Sequence, residues 1–367
     1  MLYHLLYPLR EVFSPLNIFQ YITFRSALAA IMALLISFIL GPVIIRKLKM
    51  FQIGEEIRDF GPESHLKKKG TPTMGGLIIL SAIILPTILL ADLNNPFIEI
   101  LLISTIWMGL IGFIDDYLKS VKKIKKGLIA RYKLSGQILL GLIITFWIYN
   151  TPAWDNIRTV TSIPFLKDTV FDFGLFYPLM ILLVVAGTSN AVNLTDGLDG
   201  LATGLLAISF SVFAVIAYIS GRVDFSDYLN IIYLPGAGEL TIFSAACVGA
   251  CLGYLWFNAA PAEVFMGDIG SLSTGAALGT LAILLKKEFL LIIIGGVFVA
   301  EAISVILQVG YFRYTKKKYG EPKKLFLMAP FHHHFELKGW PESRVVIRFW
   351  IIGLLLALLT IATFKIR

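Results

Sequence analysis

Long apolar runs separated by short polar connections dominate this chain, and they predict an all-α, polytopic membrane protein. A helix that crosses a bilayer needs about 20 mostly apolar residues, whereas barrel strands are shorter and alternate in polarity. The polar stretches leave no room for a sizeable soluble domain, so residues 1–367 are expected to form a single integral-membrane domain. The pattern predicts ten transmembrane helices at residues 22–45, 75–91, 97–115, 134–150, 173–189, 200–220, 238–257, 269–285, 289–312 and 345–364.

The composition agrees, because 57% of the residues are hydrophobic and soluble domains contain about 45–50%. In a soluble protein, the net charge of +8 would suggest binding to nucleic acid. Here the Lys and Arg residues lie in the loops between spans, so membrane topology explains them. Loops 46–71, 117–133 and 313–344 carry 22 Lys and Arg residues, and the opposite side carries eight. Since basic loops stay in the cytoplasm, ten spans place both termini outside. Because the topology accounts for the cations, no nucleic-acid partner is expected.

The unusual polar clusters all fall on the predicted cytoplasmic side. Residues 190–200 (NAVNLTDGLDG) join spans five and six, and residues 112–120 (GFIDDYLKS) end span three. Residues 258–271 precede span eight, and residues 331–336 (FHHHFE) lie in the last basic loop. Unrelated clusters would divide between the two sides, so this distribution predicts one shared cytoplasmic site.

Three aspartates are candidates for metal or proton chemistry. Asp115 and Asp116 end an apolar helix, where they repel each other and oppose the macrodipole unless Lys119 offsets them. The alternative is that the two aspartates only form a solvated helix end. Acidic residues in or near the membrane, however, more often belong to a functional site. Asp268 is predicted just before span eight, where it could cap the helix. It could equally be a ligand for a hard cation, beside a helix N-terminus that binds phosphate.

The other polar positions allow both a structural and a functional interpretation. Asn190, Asn193 and Asp196 recur every three residues, which places them on one helical face. Phe265 is either a core residue or a ring that stacks on a base. Glu301, with Ser304 and Gln308 on the same face of span nine, either joins helices or serves a site.

Two basic segments have the same ambiguity. The run His332–His333–His334 is either a solvated loop or a phosphate-binding or proton-transfer element. Lys67, Lys68 and Lys69 in the first basic loop obey the positive-inside rule, but a lysine there could also reach a diphosphate. Together with the carboxylates, these groups describe Mg²⁺-assisted phosphoryl transfer between a soluble and a lipid reactant.

The motifs closely resemble the bacterial phospho-N-acetylmuramoyl-pentapeptide transferase family, within the polyprenyl-phosphate N-acetylhexosamine-1-phosphate transferases. The resemblance covers nearly the whole chain, and FHHHFELKGWPE is the motif that points to the muramoyl-pentapeptide branch. The matching stretches are IRDFGPESHLKKKGTPTMGG, GFIDDYLK, NAVNLTDGLDGLATG, NAAPAEVFMGDIGSLSTG and APFHHHFELKGWPESRVVIRFW.

The resemblance implies a reaction in which phospho-MurNAc-pentapeptide moves from its UDP carrier to undecaprenyl phosphate, giving lipid I and UMP with Mg²⁺. It also implies ten spans in the bacterial inner membrane, within the lipid bilayer, and it leaves a homodimer open. The implied catalytic residues are Asp115, Asp116, Asp268 and His332, with Asp268 as the Mg²⁺ ligand. The substrate-binding candidates are Lys68, Lys119, Asn190, Asn193, Asp196, Phe265 and His333, with Phe265 stacking on uracil.

The lipid phosphate is expected to attack directly rather than through a covalent aspartyl intermediate, because a phosphate monoester is already mostly dianionic at pH 7. Three other functions are open from the sequence. A related transferase would use another UDP-sugar. An ion-coupled transporter would place acids near the midplane and show repeated halves. An intramembrane aspartyl protease would place two aspartates within facing spans.

Overall fold

The computed structural model describes residues 2–51, 70–124, 126–166 and 169–366. The two strands form an antiparallel hairpin in which Val160 pairs with Asp172. Short 3₁₀ turns lie at Pro8–Glu11, Ser14–Gln20, Pro152–Trp154 and Gly174–Phe176. The elements are α1 (Leu2–Leu6), α2 (Ile22–Met50), α3 (Gly76–Leu90), α4 (Pro96–Ser120), α5 (Ala130–Asn150), β1 (Val160–Ser162), β2 (Val170–Asp172), α6 (Tyr177–Thr195), α7 (Leu201–Ser220), α8 (Val223–Leu229), α9 (Glu239–Asn258), α10 (Gly267–Leu284), α11 (Glu288–Ile294), α12 (Gly296–Tyr319), α13 (Phe331–Leu337) and α14 (Glu342–Ile366).

The prediction of an all-helical multi-pass membrane protein is confirmed. Within the described ranges, eight helices are long and apolar enough to cross a bilayer: α2, α4, α5, α6, α7, α9, α12 and α14. Helix α3 is apolar but only 15 residues long, and α10 is not among the eight. The number of ten spans therefore stays a prediction, although every predicted apolar run is helical.

Three predicted boundaries were wrong. The run 289–312 is not one helix, because α11 ends at Ile294 and α12 begins at Gly296. Two adjacent glycines, Gly295 and Gly296, explain the break, since glycine is a poor helix former. Helix α4 continues to Ser120, so its aspartates lie inside the helix. Helix α13 covers the three histidines, which the sequence placed in a loop.

Helix α10 lies at the centre of the bundle, where every residue from Asp268 to Leu284 is buried. Glycines allow its neighbours to approach closely. A Cβ on Gly112 of α4 would lie 2.3 Å from the Asp268 carbonyl oxygen, and one on Gly76 of α3 would lie 2.1 Å from the Gly270 nitrogen. Because protein surrounds α10 on all sides, its small and hydroxylated residues are tolerated where lipid would select for larger apolar ones.

A buried ion pair joins three helices at the opposite end of the bundle from the aspartates. The Arg25 guanidinium of α2 donates to both carboxylate oxygens of Glu239 on α9, at 2.9 and 2.6 Å. Arg25 also donates to the Leu90 carbonyl of α3, and Glu239 accepts the Asp92 N–H. Removing one partner would leave the other charge buried without compensation.

Glu239→Ala is therefore expected to destabilise the fold by about 3–5 kcal/mol. The thermal midpoint of the purified protein in detergent measures this effect. Asp224→Ala is the matched control, because it breaks an ion pair with Arg222 whose side chains are 47% and 59% exposed. An equal and small shift in both variants would contradict the assigned role of the buried pair.

Candidate active site at one end of the bundle

Three buried carboxylates meet at one end of α4 and α10. Asp115 and Asp116 lie in the last turns of α4, and Asp268 lies in the first turn of α10. One oxygen of each carboxylate lies within 4.8 Å of the others. The residues are 0%, 3% and 9% exposed, respectively. Two separate sequence motifs thus form one acidic cluster with the oxygen ligands that Mg²⁺ prefers.

Asp116 closes the N-terminus of α10 from the neighbouring helix. Its carboxylate oxygens accept the N–H groups of Asp268 and Ile269, each at 3.1 Å. These amides have no partner within their own helix, and the positive end of the helix dipole favours the negative charge of Asp116. The interpretation of Asp268 as a cap just before the helix is therefore wrong, because Asp268 lies within the first turn.

Two lysines lie between the carboxylates. The Lys133 ammonium at the start of α5 is 2.8 Å from Asp115 Oδ2 and also contacts Asp268 Oδ2. Lys119 contacts Asp115 Oδ2 and lies 3.3 Å from Asp268 Oδ2. The other Asp115 oxygen accepts the Leu128 N–H at 2.6 Å. The ammonium groups offset the charges of the carboxylates and hold α4, α5 and α10 together at this point.

Helix α6 adds an amide to the cluster. Asn193 Nδ2 donates to Asp268 Oδ1 and to Ser271 Oγ, both at 2.8 Å. Asn190, one turn earlier, instead donates to Gln137 Oε1 of α5 at 3.1 Å. Asp196 is half-buried directly after α6. On this face, Asn193 therefore donates a hydrogen bond to the carboxylate cluster.

Asp199 has a structural role in the same loop. Gly200, with a φ of 78°, occupies the position directly before α7. The Asp199 carboxylate accepts the Ala262 N–H at 3.0 Å, and its own N–H donates to Glu342 Oε1 at 2.7 Å. These bonds join the loop to the segments before α10 and at the start of α14.

The three histidines point to different neighbours. His332 is fully buried, with its ring Nδ1 3.3 Å from Glu301 Oε2, and its backbone N–H donates to Glu301 Oε1 at 3.2 Å. Its Nε2 faces Gly197, where an added Cβ would lie only 2.3 Å away. His333 Nδ1 lies 2.9 Å from Glu336. Glu301 therefore joins α12 through His332 to the loop at 196–200, which connects α6 and α7.

His334 is turned away from that contact, and its Nδ1 accepts the Leu327 N–H at 3.2 Å. Burial and the nearby Lys338 ammonium lower the pKa of His334 below its ordinary value. The three imidazoles do not converge on one point, as expected for consecutive residues of a helix.

The segments before α3 and before α10 pair with each other. The Phe265 N–H donates to the Pro72 carbonyl, and the Gly75 N–H donates to the Phe265 carbonyl, each at 2.8 Å. The Phe265 side chain is half-buried two residues before α10 begins. This pairing places the end of the first basic loop beside the carboxylates, whereas Lys68 itself lies outside the described residues.

The sequence interpretation missed Lys133 and the pairing of Glu301 with His332. Lys133 belongs to a loop with seven cations, which membrane topology alone explains, so nothing in its position marked it. Glu301 carried a signal, because a carboxylate deep in an apolar run needs a partner. The partner lies 31 residues away, and only the fold identifies it.

Comparison with known proteins assigns the family. Residues 98–286 match the model of glycosyl transferase family 4, and residues 68–80 match phospho-N-acetylmuramoyl-pentapeptide-transferase signature 1. Proteins named phospho-N-acetylmuramoyl-pentapeptide-transferase from Thermodesulfovibrio yellowstonii and Desulfotalea psychrophila are each 53% identical over 367 residues. The protein of that name from Chloroherpeton thalassium is 51% identical over 369 residues. All three alignments cover 100% of both chains.

Proposed function

Because this chain belongs to the phospho-N-acetylmuramoyl-pentapeptide-transferase family, we propose that its buried carboxylate cluster carries out the reaction of that family. The enzyme transfers phospho-MurNAc-pentapeptide from UDP-MurNAc-pentapeptide to undecaprenyl phosphate, and it produces lipid I and UMP for peptidoglycan synthesis. The observation that carries the proposal is the convergence of Asp115, Asp116 and Asp268 with two lysines at one end of a membrane bundle.

The donor set fits Mg²⁺, since Mg²⁺ is usually held by one or two carboxylates and by substrate phosphates. Asp268 is the proposed ligand, and Asp115 lies beside it. When bound, the ion would neutralise charge on the transferred phosphoryl group. Asn193 holds the remaining Asp268 oxygen at 2.8 Å and thereby orients the carboxylate. Lys119 and Lys133 are within reach of both aspartates and would pair with phosphate oxygens of the two substrates.

The nucleotide-sugar is proposed to bind between the segment before α10 and residues 190–200, which comprise the last turns of α6 and the loop that follows it. Phe265 would stack on uracil, and Asp196, Asn190 and Lys68 would contact the nucleoside diphosphate. His332, held by Glu301 against Gly197, and His333 would contact the phosphosugar. The support for this arrangement is the pairing of the two Gly-rich segments around Phe265 and the burial of His332 against the loop.

The contacts of Asp115 and Asp116 support different roles for the two carboxylates in this proposal. Both oxygens of Asp116 are used by amides of α10, so Asp116 is a positioning residue for Asp268. Asp115 is the residue that positions or deprotonates the lipid phosphate. The attack is direct, because the phosphate monoester is mostly dianionic at pH 7 and needs no strong base.

Asp116→Asn tests this division. The neutral amide accepts N–H groups less well, so stability should fall by about 1 kcal/mol, as for the loss of a helix cap, and turnover should fall with it. The affinity for Mn²⁺, measured by the electron paramagnetic resonance of the free ion, should remain near that of the wild type. Asp268→Asn is the comparison variant and should lose Mn²⁺ affinity. Equal losses in both variants would make Asp116 a metal ligand instead.

The membrane arrangement is part of the proposal. Residues 1–367 would form a single domain in the inner membrane, with ten spans, both termini outside and the carboxylates on the cytoplasmic side. The 22 cations in the three loops on the carboxylate side support this orientation. The sequence leaves a homodimer open as the assembly.

Release of UMP tests the function. Purified protein with Mg²⁺, undecaprenyl phosphate and UDP-MurNAc-pentapeptide should release UMP, and omission of the lipid phosphate should stop the release. UDP-N-acetylglucosamine in a parallel reaction should give little UMP. Preference for that sugar would reassign the enzyme within the superfamily, and no UMP from either donor would reject the transferase.

A further inference from the structure

The cytoplasmic end of α12 and the segment after it carry an exposed basic cluster that the reaction does not use. We define residues 313–324 as the α12 basic tract. It contains six cations, Arg313, Lys316, Lys317, Lys318, Lys323 and Lys324, against one carboxylate, Glu321. All six cations are exposed, and among the residues that the structure describes none of them forms a salt bridge.

The tract is folded, because side chains of α12 bind the returning segment. Gln308 Oε1 accepts the N–H groups of Leu325 and Phe326, at 3.0 and 2.8 Å, and Gln308 Nε2 donates to the Phe326 carbonyl. Thr315 Oγ1 accepts the Lys323 N–H at 2.9 Å. These bonds place Lys323 and Lys324 beside the lysines of the last turn of α12, so that the charges form one surface.

Aromatic and aliphatic side chains are interleaved with the cations. Tyr314 and Tyr319 are 54% and 58% exposed, and Leu325 and Leu327 are each 47% exposed. The Lys318 ammonium lies 3.0 Å from the Tyr314 hydroxyl and 5.3 Å from the centre of the Tyr319 ring. Tyrosine beside lysine is typical of the headgroup region of a bilayer, where each side chain has an apolar part and a polar end.

The tract also continues a surface that faces lipid. In the apolar 18-residue stretch of α12, only 22% of the residues are buried within the protein. Ile306 and Val309 are exposed on the helix just before the tract, at 69% and 43%. The apolar surface ends where the cations begin, which places the tract at the inner boundary of the bilayer.

We propose that the α12 basic tract binds the phosphate headgroups of anionic phospholipids in the inner leaflet. Clusters of four to eight juxtamembrane cations are attracted to such lipids by roughly 1 kcal/mol for each Lys or Arg. Because Gln308 and Glu301 connect α12 to the segment that leads into α13, bound headgroups also hold the helix that carries His332. This consequence for the reaction rests on the proposed function, whereas lipid binding does not.

Native mass spectrometry of the full-length protein with added phosphatidylglycerol or phosphatidylcholine tests the binding. The variant Lys316→Gln, Lys317→Gln, Lys318→Gln should bind phosphatidylglycerol about 10²-fold more weakly, since three cations are removed. The matched control is Arg46→Gln, Lys47→Gln, Lys49→Gln, which removes three exposed cations at the end of α2. It should bind nearly as much phosphatidylglycerol as the wild type, and millimolar inorganic phosphate should not displace the lipid.

Equal losses in the two variants would overturn the proposal in favour of general surface charge. Displacement by inorganic phosphate would overturn it in favour of a site for free anions. Equal binding of phosphatidylglycerol and phosphatidylcholine would also overturn it, in favour of an acidic protein as the partner. In vesicles, anionic lipid should raise UMP release by the wild type and not by the α12 variant. Basal release in neutral vesicles should be equal in both. No release by either protein would reject the transferase function and leave the lipid site standing, whereas loss in the α12 variant alone would overturn the assignment of the tract to lipid binding.

Discussion

Asp268→Asn is expected to lower UMP release by about 10²- to 10³-fold, the cost of removing one preorganised charged group from a transferase site. One oxygen of Asp268 accepts a hydrogen bond from Asn193, and the other pairs with the ammonium groups of Lys119 and Lys133. A neutral amide would leave those lysines with Asp115 as their remaining contact in the cluster and would remove the proposed Mg²⁺ ligand. Initial rates across a Mg²⁺ titration measure the effect, which excess Mg²⁺ should not fully reverse.

Asp172→Asn is the control for this variant, because Asp172 is exposed on the β1–β2 hairpin, outside the cluster. It should leave the rate and the Mg²⁺ dependence unchanged. A wild-type rate for Asp268→Asn in protein of normal thermal stability would contradict the assigned role of the carboxylate.

Lys133→Gln is expected to lower the transfer rate by about 10²-fold, because a cation positioned beside a transferring phosphoryl group acts by charge stabilisation. The ammonium contacts both Asp115 and Asp268, and 20% of the side chain is exposed. Lys133→Arg should recover part of the rate, since the charge is retained and only the geometry differs. Steady-state kinetics with each substrate varied in turn measure which reactant the lysine contacts.

Lys126→Gln is the matched control, because Lys126 belongs to the same loop and is exposed. It should have wild-type kinetics. If the two lysine variants lose the same small fraction of activity, the charge of the whole loop, and not the position of Lys133, would explain the effect.

The helices and the gathering of the site at one end were predictable from the sequence. Runs of about 20 apolar residues specify helices in a bilayer because unsatisfied backbone groups are too costly there. The distribution of Lys and Arg then placed the motifs around Asp115, Asn193 and Asp268 on one side. The structure brings these residues together, with 2.8 Å between Asn193 Nδ2 and Asp268 Oδ1.

The contacts between side chains were not predictable, since they depend on helix rotation and on distant partners. Asp116 caps α10 across 152 positions of sequence, and no local pattern encodes that bond. Hydropathy alone marks neither the short helix that contains His332 nor the break at Gly295, which comes from two adjacent glycines within an apolar run. The role of Lys133 could not be predicted, because the positive-inside rule already explains every cation in its loop.

Transfer of a labelled phosphate tests the central claim most directly. UDP-MurNAc-pentapeptide with ³²P in the phosphate next to the sugar is mixed with undecaprenyl phosphate, Mg²⁺ and either the wild type or Asp268→Asn. The wild type should move the label into the lipid extract while unlabelled UMP is released, and Asp268→Asn should leave the label on the nucleotide. Label that enters the lipid equally well with Asp268→Asn, or that stays on the nucleotide with the wild type, would contradict transfer at the carboxylate cluster.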